Sequence, residues 1–148
     1  MTIIRTDSSN KDFILLVKEL DADLAIRDGE EHAFYDQFNK ITNIKNVVVA
    51  YENDEPVGCG AFKPFNEEAV EIKRMYVPPA LRGKGIASFI LNSLEAWAKE
   101  NGYKKSILET GLKQPEAIAL YKKNGYIQIL NFGQYAGVEN SVCFEKIL

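Results

Sequence analysis

The most constraining stretch of this 148-residue chain begins with a strand signal, Val70 to Val77, that stops at Pro78-Pro79 and is followed by Arg82-Gly83-Lys84-Gly85-Ile86-Ala87. Ile86, Phe89, Ile90, Leu94 and Trp97 then recur at helical spacing up to an Asn101-Gly102 stop, and a second buried-strand signal runs from Ser106 to Glu109. Strand, glycine loop, helix and strand in that order predict a right-handed crossover with its two strands parallel. No acidic residue lies between Glu71 and Glu95. Glycines let the main chain approach a ligand closely, the free amides and positive end of the following helix face it, and Arg82 and Lys84 add full charges. The ligand expected there carries several phosphate charges.

Around this unit the pattern is mixed. Thr2 to Thr6 reads as a short strand, and Ser8, Ser9 and Asn10 offer capping oxygens before a helix over about Lys11 to Ala25, broken at Asp28-Gly29. His32 to Asn39 reads as a short helical stretch whose Phe34, Tyr35 and Phe38 suit a variable substrate wall or plain packing. Val47 to Tyr51 and Val57 to Phe62 form strand signals joined by a turn-rich segment, which predicts an antiparallel hairpin. Pro115 opens a further helix that holds Ala117, Leu120 and Tyr121 inside and ends at Asn124-Gly125. Strands near Tyr126 to Leu130 and Ser141 to Lys146 finish the chain. No repeat or linker divides it, so residues 1–148 read as one α/β domain.

Composition narrows the partners. The net charge of −3 hides an asymmetry: residues 1–70 hold 14 acids against 7 bases and residues 71–148 hold 7 against 11, so the halves sum to −7 and +4. The whole chain is acidic, with a pI near 5.3, and it lacks an arginine-rich run, so nucleic acid is not an expected partner. A membrane is not expected either, since no apolar run is long enough to span one. Met1 to Asp12 has neither the basic start nor the apolar centre of a signal peptide. Cys59 and Cys143 are far apart in apolar segments, which suits a reducing, cytoplasmic setting and predicts no metal site.

The glycine loop alone does not name its ligand. A Walker loop needs Ser or Thr directly after its Lys, where Gly85 stands, and a dinucleotide fingerprint needs a third glycine where Ser88 stands. The stretch Arg82 to Ala87 instead resembles the Q/R-x-x-G-x-G/A pyrophosphate loop of the GNAT superfamily of acyl-CoA N-acetyltransferases. Ala117-Ile118-Ala119-Leu120-Tyr121-Lys122-Lys123-Asn124-Gly125-Tyr126 is similar to that family's A-x-x-L-Y-x-x-x-G-F/Y segment. The resemblance spans Glu71 to Tyr126. It implies a mixed, mostly antiparallel central sheet with a parallel splayed strand pair and flanking helices. It also implies acetyl-CoA lying in the splay.

On that resemblance Gly83, Lys84, Gly85, Ile86, Ala87 and Ser88 hold the pyrophosphate together with Arg82. Main-chain groups of Met75, Tyr76 and Val77 pair with the pantetheine arm like an added strand. Gln114 stands where many relatives place Asn, and a pantetheine contact is carried over to it. Acetyl transfer to an amine needs a base, stabilisation of the developing oxyanion and a proton for the departing thiolate. Glu71 is implied as base with Glu109 in reserve, Tyr121 as acid, and an amide near Met75 to Val77 as oxyanion donor.

Plainer readings stand beside these. Glu71 could simply pair with Lys73 on a strand face, and Lys73 and Arg74 read as strand-face charges. Strand alternation puts Glu71, Lys73 and Met75 on one side unless a bulge resets the parity. Tyr121 could be a core tyrosine, and His32, the only histidine, a surface or substrate-wall residue. The expected activity is direct transfer from acetyl-CoA to a primary amine of a small molecule in a ternary complex. A protein or peptide N-acetyltransferase, a non-catalytic acyl-CoA sensor and a nucleotide-binding protein remain as alternatives. A homodimer is a further expectation from family analogy.

Overall fold

The computed structural model describes residues 1–29 and 43–148, with the backbone alone at Asp28. His32, Phe34, Tyr35 and Phe38 lie outside the described residues. Among the described residues the elements run β1 (Thr2–Thr6), α1 (Lys11–Asp28), β2 (Asn46–Glu52), β3 (Glu55–Pro64) and β4 (Ala69–Tyr76). They continue as α2 (Ile86–Glu100), β5 (Lys105–Gly111), α3 (Pro115–Lys123), β6 (Ile127–Ile129) and β7 (Ser141–Ile147). The strands form one sheet in the order β1-β2-β3-β4-β5-β7-β6, antiparallel everywhere except between β4 and β5. The crossover expected through the glycine loop is therefore the single parallel joint.

Local chemistry sets the ends of these elements. Asn10 caps α1 by accepting from the Phe13 amide at 2.9 Å, and Gly29 closes it with φ +56°. Asn53 and Asp54 both take positive φ, the two-residue turn that matches the twist of a β2–β3 hairpin. Pro115 opens α3, where its missing N–H costs nothing.

The continuous run Val47 to Ala50 is buried because both faces of the sheet are covered there. Val47 and Val49 pack with Phe13, Leu16, Val17 and Leu20 of α1. Val48 and Ala50 pack with Ile86, Ile90, Leu91 and Leu94 of α2 on the other side. Phe89, expected on the inner face of α2, is 39% exposed, while Leu91 and Ala98 are buried in its place. The buried arc of α2 is centred on Leu94, and the Phe89 position falls just outside it.

Two irregularities in β4 shape everything that follows. Its pairing with β5 lasts for three rungs, Ala69 with Lys105, Val70 with Ser106 and Glu71 with Ile107, after which the strands separate. On its other side the register slips, since Lys73 faces Ala61 but Tyr76 faces Cys59. Arg74 sits in this bulge with φ +58°, rare for a residue with a side chain. The bulge resets the alternation: Glu71 and Lys73 share one face, whereas Met75 crosses to the core packed under α2 and Tyr76 lies under α1. Gly60 makes room for this, because a Cβ there would lie 2.6 Å from the Met75 sulfur.

Candidate active site

The separation of β4 and β5 opens a cleft of about 360 Å³ beside the glycine loop. Its walls include Met75, Tyr76 and Val77 of the β4 edge, Gly83, Gly85, Ile86, Ala87 and Ser88 at the start of α2, and Gln114 and Tyr121. Gly83 and Gly85 hold φ of +81° and +83°, a conformation that turns the loop into α2 and that other residues adopt at a cost. No side chain caps the first turn of α2 and no acid lies in it, so its amides and the positive end of its dipole face the cleft uncompensated. Beyond Glu71 the β4 edge has no strand neighbour on the β5 side among the described residues, which leaves its main chain free to pair with an extended ligand. Coenzyme A fits this combination: amides and dipole for its diphosphate, a vacant strand edge for its amide-bearing arm.

The loop cations differ from one another. Lys84 is exposed and is not part of the cleft wall. Arg82 is tethered: its Nε donates to the Val77 carbonyl at 2.8 Å, and its guanidinium lies over the Tyr76 ring at 5.8 Å. Its terminal nitrogens stand 3.9 Å from Asp23 and 4.0 Å from Glu116. Arg27 completes the cluster, paired with Asp23 at 3.3 Å and with Glu116. These four residues tie the end of α1 to the start of α3 across the cleft, a link that sequence separation hides.

A second, smaller chamber of about 100 Å³ lies deeper in the splay. It shares Leu20, Met75, Gln114, Ala117 and Tyr121 with the first, so these residues form a neck between the two. Its other walls carry charge: Glu71, Lys73 and Arg74 from β4 and Glu109 from β5. Lys73 and Arg74, expected as strand-face charges, are buried on that face, at 8% and 5% exposed. Alternation puts Lys73 on the Glu71 face, and the bulge turns Arg74 onto it as well, where Asp21 of α1 receives the Arg74 guanidinium. Glu71 is 3% exposed and its Oε2 accepts no hydrogen bond among the described residues. Lys73 does approach it, at 3.6 Å, so the simple pairing exists but is loose. Burial pulls the Lys73 ammonium below its usual pKa range, an effect that the Glu71 charge only partly offsets. Glu109 accepts from the Ser141 hydroxyl at 2.8 Å.

Tyr121 is buried at the neck, with its ring edge-on to Tyr126 at 5.8 Å. Burial, and then the Glu109 charge, push its phenol well above the usual tyrosine range, so it stays protonated and can act as a donor. Ser88 and Asn124, from the two sequence motifs, meet directly: Asn124 Nδ2 donates to Ser88 Oγ at 3.1 Å and to the Leu120 carbonyl at 2.9 Å. This locks the start of α2 to the end of α3.

Comparison with known proteins agrees with this geometry. The Acetyltransferase (GNAT) family profile matches residues 15–126. The chain is 33% identical over 150 residues to an IAA acetyltransferase of Azospirillum brasilense, covering 100% of this chain and 98% of that one. A crystal structure from Klebsiella pneumoniae subsp. pneumoniae MGH 78578, assigned to the acyl-CoA N-acyltransferases, superposes with a TM-score of 0.83 at 31% identity, covering 99% of this chain and 97% of that one. A GNAT family acetyltransferase from Elizabethkingia anophelis, crystallised with acetyl-CoA bound, has the same fold, with a TM-score of 0.72 at 23% identity and coverage of 99% and 97%. An uncapped helix start beside a splayed parallel strand pair, and a match running through both motifs, lead to one assignment: the chain belongs to the GNAT family of acyl-CoA-dependent N-acetyltransferases.

Proposed function

We propose that the protein transfers the acetyl group of acetyl-CoA directly to the primary amine of a small molecule, with both substrates held at once. The observation that carries this reading is the pair of chambers joined at a neck lined by Tyr121 and Met75, one suited to a phosphorylated carrier and the other to a charged acceptor. Acetyl-CoA, when bound, supplies an acyl group already activated as a thioester. The chain's own residues then orient it and manage the protons.

Gly83 to Ser88 hold the diphosphate through main-chain amides, with Arg82 and Lys84 supplying charge at the mouth. Met75, Tyr76 and Val77 align the pantetheine arm along the open β4 edge, with Gln114 opposite. Glu71 is the base: an alkylammonium has a pKa near ~10, and a carboxylate with an uncommitted oxygen can take its proton. Glu109 is less suited, since the Ser141 hydroxyl already occupies its Oε2. Tyr121 keeps its proton and donates a hydrogen bond to the leaving sulfur. Its raised pKa makes it a stabiliser of the thiolate more than a group that surrenders the proton outright. The bulge frees main-chain amides near Met75 from the β3 ladder, which supports one of them as oxyanion donor.

One sheet running through all the described strands supports reading residues 1–148 as a single catalytic domain. Among the described residues no helix is long and apolar enough to cross a membrane. Cys59 and Cys143 are buried free thiols, which supports a reducing, cytoplasmic setting. The test is thiol release from acetyl-CoA across a panel of small primary amines, with rapid-quench trapping of any acetylated enzyme. Amine-dependent release with no acetyl-enzyme is the expected result. Tight coenzyme A binding with no release from any amine would leave a sensor, and a trapped acetyl-enzyme would exclude direct transfer.

A further inference from the structure

The acceptor chamber holds a charge that a plain amine does not need. Lys73 is almost fully enclosed, and a buried ammonium is destabilising unless its donors are used. Its three donors are poorly used among the described residues. One reaches the Tyr135 hydroxyl at 3.4 Å, the long limit of a hydrogen bond, and the Glu71 oxygen at 3.6 Å lies beyond it. That same oxygen, Glu71 Oε2, is buried and accepts no hydrogen bond among the described residues. An opposed pair therefore faces the chamber with donors and acceptor both unspent. Arg74, also buried in the wall, has a terminal nitrogen paired with Asp21, and of its buried nitrogens only Nε lacks a partner among the described residues, so less of its charge is uncommitted than that of Lys73.

An acceptor bearing only an ammonium would use Glu71 and be repelled by Lys73. An acceptor bearing both charges would satisfy the two at once, its ammonium toward Glu71 and its carboxylate toward Lys73. In an α-amino acid the nitrogen and the nearer carboxylate oxygen are separated by roughly 3 Å, as bond lengths and the tetrahedral angle dictate. That spacing matches the 3.6 Å between Lys73 Nζ and Glu71 Oε2, so four charges can alternate around a small ring. The geometry points to an α-amino acid as the acceptor class, with Lys73 selecting it by binding the carboxylate beside the reacting amine. This rests on the acetyltransferase reading above and adds the specificity-determining residue to it. Lys73 then works in two directions, attracting the carboxylate and penalising amines that lack one.

The test is calorimetric titration of protein saturated with coenzyme A, which needs no turnover. Alanine is compared with ethylamine, leucine with isoamylamine and phenylalanine with phenethylamine, within a screen of the standard amino acids. In at least one pair the amino acid is expected to bind about 10- to 100-fold more tightly, the value of a charge-assisted hydrogen bond. Lys73→Met should cut that ratio to within about threefold, and Lys73→Arg should retain part of it. If Lys73→Met fails to fold, the wild-type ratio and Lys73→Arg decide the question. Equal affinity within every wild-type pair, no binding by any amino acid, or an equal loss for amine and amino acid in Lys73→Met would overturn the proposal. Amino-acid binding with the expected preference but no thiol release would instead sink the transfer reaction and leave the carboxylate site standing.

Discussion

The proposed donor cleft and the proposed acceptor chamber share a wall and are built by opposite means. Around the glycine loop the cleft presents main chain: uncapped amides at the start of α2, an open β4 edge, and cations that are exposed or already tethered. Deeper in the splay the chamber presents buried side chains, Glu71, Lys73 and Arg74, exposed by 3%, 8% and 5%. A site made of backbone recognises what every donor molecule has in common. On the proposal above, the buried charges would select one acceptor among many; their cost is borne by strain at Arg74 and by an ion pair with unspent hydrogen bonds.

The sharpest way to break that contrast is Glu71→Gln. It should lower kcat by about 100-fold, alter the pH–rate profile and leave coenzyme A affinity within about threefold, measured by steady-state kinetics beside calorimetry. An unchanged kcat would remove side-chain chemistry from the deep chamber. Tyr121→Phe should lower kcat by about 10-fold, again with little change in coenzyme affinity. Because burial raises the phenol pKa, the protonated form persists as pH rises, so this loss should be the same at pH 7 and pH 9.5. A loss that vanished at the higher pH would mean that Tyr121 ionises within the range.

Gly85→Ala addresses the backbone side. Forcing an alanine to φ +83° should misdirect the first amides of α2 and weaken coenzyme A binding about fivefold, with a smaller change in kcat once the site is saturated. Glu116→Gln should have the smallest effect. Removing a carboxylate that stands 4.0 Å from Arg82 should tighten coenzyme A binding about twofold at low salt, and about 0.5 M salt should erase the gain. A large effect there would mean that the cluster of Asp23, Arg27, Arg82 and Glu116 governs access to the cleft.

The same contrast explains what could be read from residue order. The donor loop is legible because its parts are contiguous: two glycines at positive φ, a helix start without acids and a strand that ends at prolines. Element positions followed from periodicity, with Phe89 as a miss that the breadth of the buried arc on α2 explains. Glu71 is marked as base by the family resemblance alone. The burial of Arg74 could not be read, because it depends on a register slip opposite Cys59 and Ala61 and on Asp21 of α1, 53 residues earlier in the chain. That of Lys73 could not either, because alternation gives its face but not what covers that face. Alternation alone puts Met75 beside Glu71, and only the bulge moves it across. The ionic cluster over the cleft left no local sign either, since its members come from α1, the loop and α3.

The neck described above has a thermodynamic corollary. Because Leu20, Met75, Gln114, Ala117 and Tyr121 border both chambers, the end of a molecule seated in one becomes part of the surface that greets the other. Occupancy on the two sides is therefore linked, and whatever factor the thioester carrier adds to the grip on the amine, the amine returns to the carrier in equal measure. The linkage is symmetric, so a shared partition couples the two occupancies without any moving part and by itself sets no order of loading.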